Sequence, residues 1–95
     1  MVNPMKQRAT MEVWVMVHQW EDDADVKVAA TEKVANSIAF DIIKDMVMNE
    51  RDYFEEDNSK ADLLEAIDSE NHQRTVELWD DTQNKITVFA TQVRK

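Results

Sequence analysis

The chain has 95 residues, of which 20 are acidic and 11 basic, giving a formal net charge of −9 with no glycine and no cysteine. That length makes one domain around one core, with little room for a deep, enclosed active site. The charge disfavours direct contact with nucleic acid or an anionic membrane, the missing glycine excludes a phosphate-cradling loop, and the missing cysteine excludes disulfides and thiolate chemistry.

Residues 1–10 contain Pro4, Lys6 and Arg8 and read as a flexible N-terminal tail; residues 11–95 read as a single α+β domain. The tail has no apolar stretch of secretory-signal length, and no run elsewhere is long enough for a transmembrane helix. A soluble, cytoplasmic protein is the expectation.

Residues 11–20, MEVWVMVHQW, are β-branched and aromatic and predict a strand. Met11, Val13, Val15 and Val17 give it one wholly apolar face. Trp14, Met16, His18 and Trp20 give it a larger amphipathic one. Charges at Glu21, Asp22, Asp23 and Asp25 break the run. Val26-Lys27-Val28 alternates as a returning hairpin strand, with a helix starting at Asp23 as the rival reading.

Thr31 is a plausible N-cap, with Glu32 in the first turn where the helix dipole favours an acid. Behind it Val34, Ile38, Ile42 and Met46 form one i+4 row, and Ala35, Ala39, Ile43 and Val47 the adjacent one. These rows predict a long amphipathic helix lying on a sheet and reaching toward Tyr53 and Phe54. Residues 55–59 read as a break, after which Ser59 and Asp62 fit a capping box opening a short acidic helix with Leu63, Leu64 and Ile67 inward. Two further strands are expected at 74–79 and 85–93, joined by a loop at 80–84 as a C-terminal hairpin. The predicted fold is thus a small antiparallel sheet, built from an N-terminal strand or hairpin and a C-terminal hairpin, packed on one long helix.

Adding the faces suggests that the helix covers Val13, Val15, Val17, Val76, Leu78, Ile86 and Val88. The other face would then collect Trp14, Met16, His18, Trp20, Trp79 and Phe89. Exposed together, such residues are costly and mark an interaction site. Three covers are open: the short helix, a second copy of the chain, or a different protein.

Charge is unevenly distributed. Residues 21–81 hold 19 acids and 6 bases, a net of −13, while residues 1–20 and 82–95 have net charges of +1 and +3. The candidate partner-binding acids are Asp52, Glu55, Glu56, Asp57, Asp62, Glu65, Asp68 and Glu70, with Asp22 and Asp23 beside them. Surface carboxylates several ångströms apart resemble the phosphate ladder of a nucleic acid. Small acidic proteins of phages and mobile elements use that device to occupy the groove of a nuclease or repressor. The likeness is one of composition, and no family motif carries it.

Catalytic chemistry finds little footing. The carboxylate pairs are numerous, but pairs in a charged surface are a weak sign of acid–base work. His18 on the aromatic face and His72 in an expected turn give no zinc spacing. Asp22, Asp23 and Asp25 lack the glycine and the bidentate Glu of a calcium loop. The expectation is a non-enzymatic protein without cofactor or metal, acting as an inhibitor or decoy for a basic protein surface such as a nucleic-acid enzyme. A homodimeric structural or regulatory domain, joined through the tryptophan face, is the alternative.

Overall fold

Eleven consecutive residues rich in valine, methionine and aromatics make the central strand β1 (Thr10–Trp20). In the computed structural model, which describes residues 10–94, it pairs on both sides, antiparallel, with β2 (Asp23–Ala29) and β3 (Asn84–Arg94), giving the order β2-β1-β3. The fold is α+β. The tail reading falls on residues 1–9, which lie outside the described residues; Thr10 already belongs to β1.

The hairpin register pairs Trp20 with Asp23, leaving Glu21 and Asp22 as a two-residue turn. Such turns need a positive φ, usually from glycine. In this glycine-free chain Glu21 supplies it, at φ 47°. The structure thereby chooses the returning strand over the rival helix from Asp23.

Helix α1 (Glu32–Asn49) starts where Thr31, in an extended conformation, accepts a hydrogen bond from the Val34 amide at 3.2 Å. It buries Ala35, Asn36, Ala39, Phe40, Ile43 and Val47. The apolar stripe is therefore centred further round than the sequence rows suggest: Val34 lies outward, while Ile38, Ile42 and Met46 are half-buried. The helix stops at Glu50, whose non-helical backbone turns the chain into a separate short helix α2 (Arg51–Glu56), which buries Phe54.

A 3-10 turn (Asn58–Lys60) and helix α3 (Ala61–Asp68) follow. The expected Ser59/Asp62 capping box does not form. Instead the Asp57 carboxylate accepts from both the Ser59 amide, 3.0 Å, and the Ser59 hydroxyl, 2.7 Å, capping the 3-10 turn. Helix α3 ends in a Schellman motif: the Asn71 amide donates to the Ala66 carbonyl and the Glu70 amide to the Ile67 carbonyl, with Glu70 left-handed at φ 56°.

Residues 74–79 are not a strand. Residues 74–78 belong to helix α4 (His72–Leu78), with Trp79 as its C-cap; the helix is capped at its start by Asn71, whose side-chain oxygen accepts from the Arg74 amide at 3.2 Å. The alternation of Val76 and Leu78 suggested a strand, but His72, Thr75, Val76 and Trp79 fall at helical spacing. Thr75 is fully buried, with its hydroxyl donating to the Asn71 carbonyl at 2.8 Å. The C-terminal hairpin is thus a helix, a loop and one strand.

Register decides which sheet face meets the helices. Trp14 lies opposite Ala29 and Ala90, Met16 opposite Lys27 and Val88, and His18 opposite Asp25 and Ile86. Ile86 packs on the core of Phe40, Ile43, Val47, Phe54, Leu63 and Ile67, and Met16 is 0% exposed. The tryptophan-bearing face is therefore the inner one, which reverses the sequence expectation. Ala35 and Ala39, both fully buried, keep the facing side of α1 slim where the sheet presents its largest side chains. Met11, Val13, Val15 and Val17 share the outer face with Val26, Val28, Phe89 and Val93.

Candidate functional site

Two surfaces stand out: the carboxylate-rich side of α2 and α3, and the outer face of the sheet. The first begins with Arg51. Its Nε lies 2.9 Å from Glu55 Oε2, and its two terminal nitrogens each donate to one Asp68 oxygen at 3.0 Å. This bidentate pairing ties α2 to α3 and consumes two of the candidate acids. The Asp68 carboxyl is held below its usual pKa by the Arg51 hydrogen bond, and the Arg51 guanidinium is raised further above its own by the bonds to Asp68 and then Glu55.

Asp57 is committed to its cap, and its carboxyl is held low chiefly by the Ser59 hydroxyl. Lys60 reaches Asp80 at 2.9 Å, fastening the 3-10 turn to the loop before β3, and the bond raises its ammonium pKa.

Asp52, Glu56, Asp62, Glu65 and Glu70 are exposed, and among the described residues none of them enters an ion pair. Asp52 and Glu56 lie four apart on α2, and Asp62 and Glu65 three apart on α3, so each pair shares a helix face. The two cations nearest in sequence, Arg51 and Lys60, are already engaged. Asp22 and Asp23 are exposed too, but they stand at the β1–β2 turn rather than on these helices. Of the ten candidate acids, the structure leaves four unpaired on the helices and a fifth, Glu70, in the turn after α3, uses Glu55, Asp57 and Asp68 to build the scaffold, and places two elsewhere.

The six candidate sheet-face residues do not form one patch. Trp14, Met16, His18 and Trp20 lie on the inner face, with Met16 buried and the others half-buried. His18 Nε2 sits 3.1 Å from Asn84 Oδ1, and its ring is 4.6 Å from that of Trp20. Trp79 follows α4; its indole N–H donates to the Asn84 carbonyl at 2.7 Å and its ring stacks on Phe54 at 6.4 Å. These contacts give Trp79 a structural role in pinning the loop that leads into β3. Phe89 alone lies on the outer face.

That outer face is the feature the sequence reading missed. Val28 is 64% exposed, Val26 55%, Met11 45%, Phe89 43% and Val93 40%, around a buried central pair, Val13 and Val15. Lys85 is the one ionisable side chain at the described positions on this face. The signal was present in the alternation of Val26, Val28, Phe89 and Val93, but parity between strands depends on a register that spacing alone leaves open.

Surface depressions are shallow and polar-edged. One of about 480 Å³ is lined by Trp20, Glu21, Thr82, Gln83 and Asn84. Among the described residues no group of three His, Asp or Glu side chains is placed to hold a metal ion, and no helix is long and apolar enough to cross a membrane. His72, at the start of α4, packs on the Phe40 ring at 4.3 Å.

No family model matches the chain, and neither the curated proteins nor the solved structures give a significant match.

Proposed function

We propose that this chain is a non-enzymatic, cytoplasmic binding protein whose helical carboxylate surface occupies a basic site on another protein, of the kind that ordinarily holds nucleic acid. The observation that supports this reading is the set of unpaired, exposed carboxylates at Asp52, Glu56, Asp62, Glu65 and Glu70 on adjoining short elements, with Arg51 and Lys60 neutralised internally. Acids on helices braced by the Arg51–Asp68 and Lys60–Asp80 pairs are held at defined separations, as phosphates are along a strand. A cationic groove would be steered toward them, with association rates that depend strongly on salt.

The test compares the wild-type chain with a charge-reversed variant, Asp52→Lys/Glu56→Lys/Asp62→Lys/Glu65→Lys, as bait in host lysate. The wild type is expected to retain a nucleic-acid-binding protein that a competing duplex oligonucleotide displaces. Retention should fall about tenfold or more between low and moderate salt, and the folded variant should not retain that protein. Equal retention by the variant, or binding indifferent to salt, contradicts the reading.

The alternative of a dimer through the tryptophan face loses its geometric basis, because the helices pack on that face.

A further inference from the structure

We propose that the outer sheet face is the docking surface for a second copy of this chain, with the two sheets stacked face to face and the helical layers outside. Three observations favour that occupant over others.

The first is charge. A chain of net charge −9 repels its own copies over most of its surface. The outer face carries Lys85 and no carboxylate, whereas the inner face has Glu12, Asp23 and Asp25 along its strands. Two copies can meet at the outer face without bringing acids together. Stacked sheets sit about 10 Å apart and each helical layer lies about another 10 Å out. The carboxylate-bearing α2 and α3 pack chiefly on other helices rather than on the strands, so this pairing does not press them together.

The second is area. Strands of 11 residues span about 37 Å, and three strands about 14 Å. With β2 shorter at seven residues, the footprint is on the order of 500 Å² per copy, or about 1,000 Å² in total, at the lower threshold for a biological contact and below the usual size of a tight one. Its centre is apolar and its flanks carry threonines and Lys85, which suits a symmetric pairing of a surface with itself.

The third is the far end of the sheet. β2 stops at Ala29, opposite Trp14, so, among the described residues, 10–13 pair only with residues 91–94. Glu12 and Ala90 are exposed here, so the helices do not cover this end. A two-stranded ribbon is marginal on its own. A second sheet laid across Met11 and Val93 would support it.

Sedimentation equilibrium of the full chain over a concentration series, with circular dichroism as a control for folding, tests the proposal. The wild type is expected at twice its 11.1 kDa chain mass by tens of micromolar. Val28→Thr/Phe89→Thr, which keeps β-favouring residues at exposed positions, should weaken self-association at least tenfold with an unchanged spectrum. Phe89→Glu should abolish it. A wild-type monomer throughout the series overturns the proposal. A dimer indifferent to all these changes places the interface elsewhere and equally overturns it.

Discussion

The two faces of the same three strands do opposite work, although both are apolar. The inner face holds large side chains with polar ends, such as Trp14, His18 and Trp20, and closes on helices whose near side begins with alanines. The outer face is mostly valine and threonine, with no acid, and stays largely open at Val26, Val28 and Phe89. Hydrophobicity alone therefore does not tell which side of a sheet is core. What distinguishes them is whether the polar atoms among the apolar ones find partners, as His18 does at Asn84. Charge sharpens the contrast: the unpaired carboxylates stand on and beside α2 and α3, and none stands on the open face.

The sharpest way to break this comparison is to put one charge on each face. Met16→Lys buries an ammonium at a fully enclosed position opposite Lys27 and should cost about 4 kcal/mol or more, enough to unfold much of a small domain. Val28→Lys, at a largely exposed position, should change stability by about 0.5 kcal/mol or less. Urea denaturation of both variants checks the pair. Equal losses would mean that the two faces are not inner and outer.

A smaller effect addresses the helical side. Asn71→Ala removes the cap of α4 and should cost about 1 kcal/mol, with a loss of helical ellipticity. Were residues 72–78 a strand, the change would be nearly silent. Glu70→Gly should act in the opposite sense. It relieves a left-handed residue in the Schellman turn and should stabilise by a few tenths to about 1 kcal/mol in thermal or urea unfolding.

Titration gives the smallest expected change. Asp57 and Asp68 have carboxyl pKa values below the ordinary range, so their stabilisation is complete above the unfolded value, about 4, and fades as pH falls through the lower folded values. Lys60 is raised, so its contribution holds below about 10.5 and is lost as pH rises through its folded value. Arg51→Gln should flatten the acid limb and leave the alkaline limb unchanged, as read by Tm against pH.

Local signals were legible in the sequence where the chemistry was local. β1, the Thr31 cap, α1 and β3 follow from period and capping residues that act within a few positions. The inward set of α3 follows in the same way, with Leu63 and Ile67 buried. Residues 74–79 misled because six alternating residues fit a half-buried strand and a short amphipathic helix alike; Asn71 was the deciding residue, and its capping power lies in a hydrogen bond rather than in periodicity. The ion-pair scaffold was hidden for a different reason. Arg51 and Asp68 are 17 positions apart, and nothing in their spacing marks them as partners. The sheet's orientation failed on parity, since a shift of one residue in the β1–β3 register exchanges every side chain between faces.

The distinction between the faces is open to one direct measurement, because the chain has no cysteine of its own. Single variants Met16→Cys and Val28→Cys can be reacted with a thiol reagent under native conditions and compared with the unfolded chain. The account predicts that Cys at 16 is protected at every protein concentration, while Cys at 28 reacts readily and gains protection only as the protein is concentrated. Modification at 16 at the unfolded rate, with 28 protected even on dilution, would contradict it.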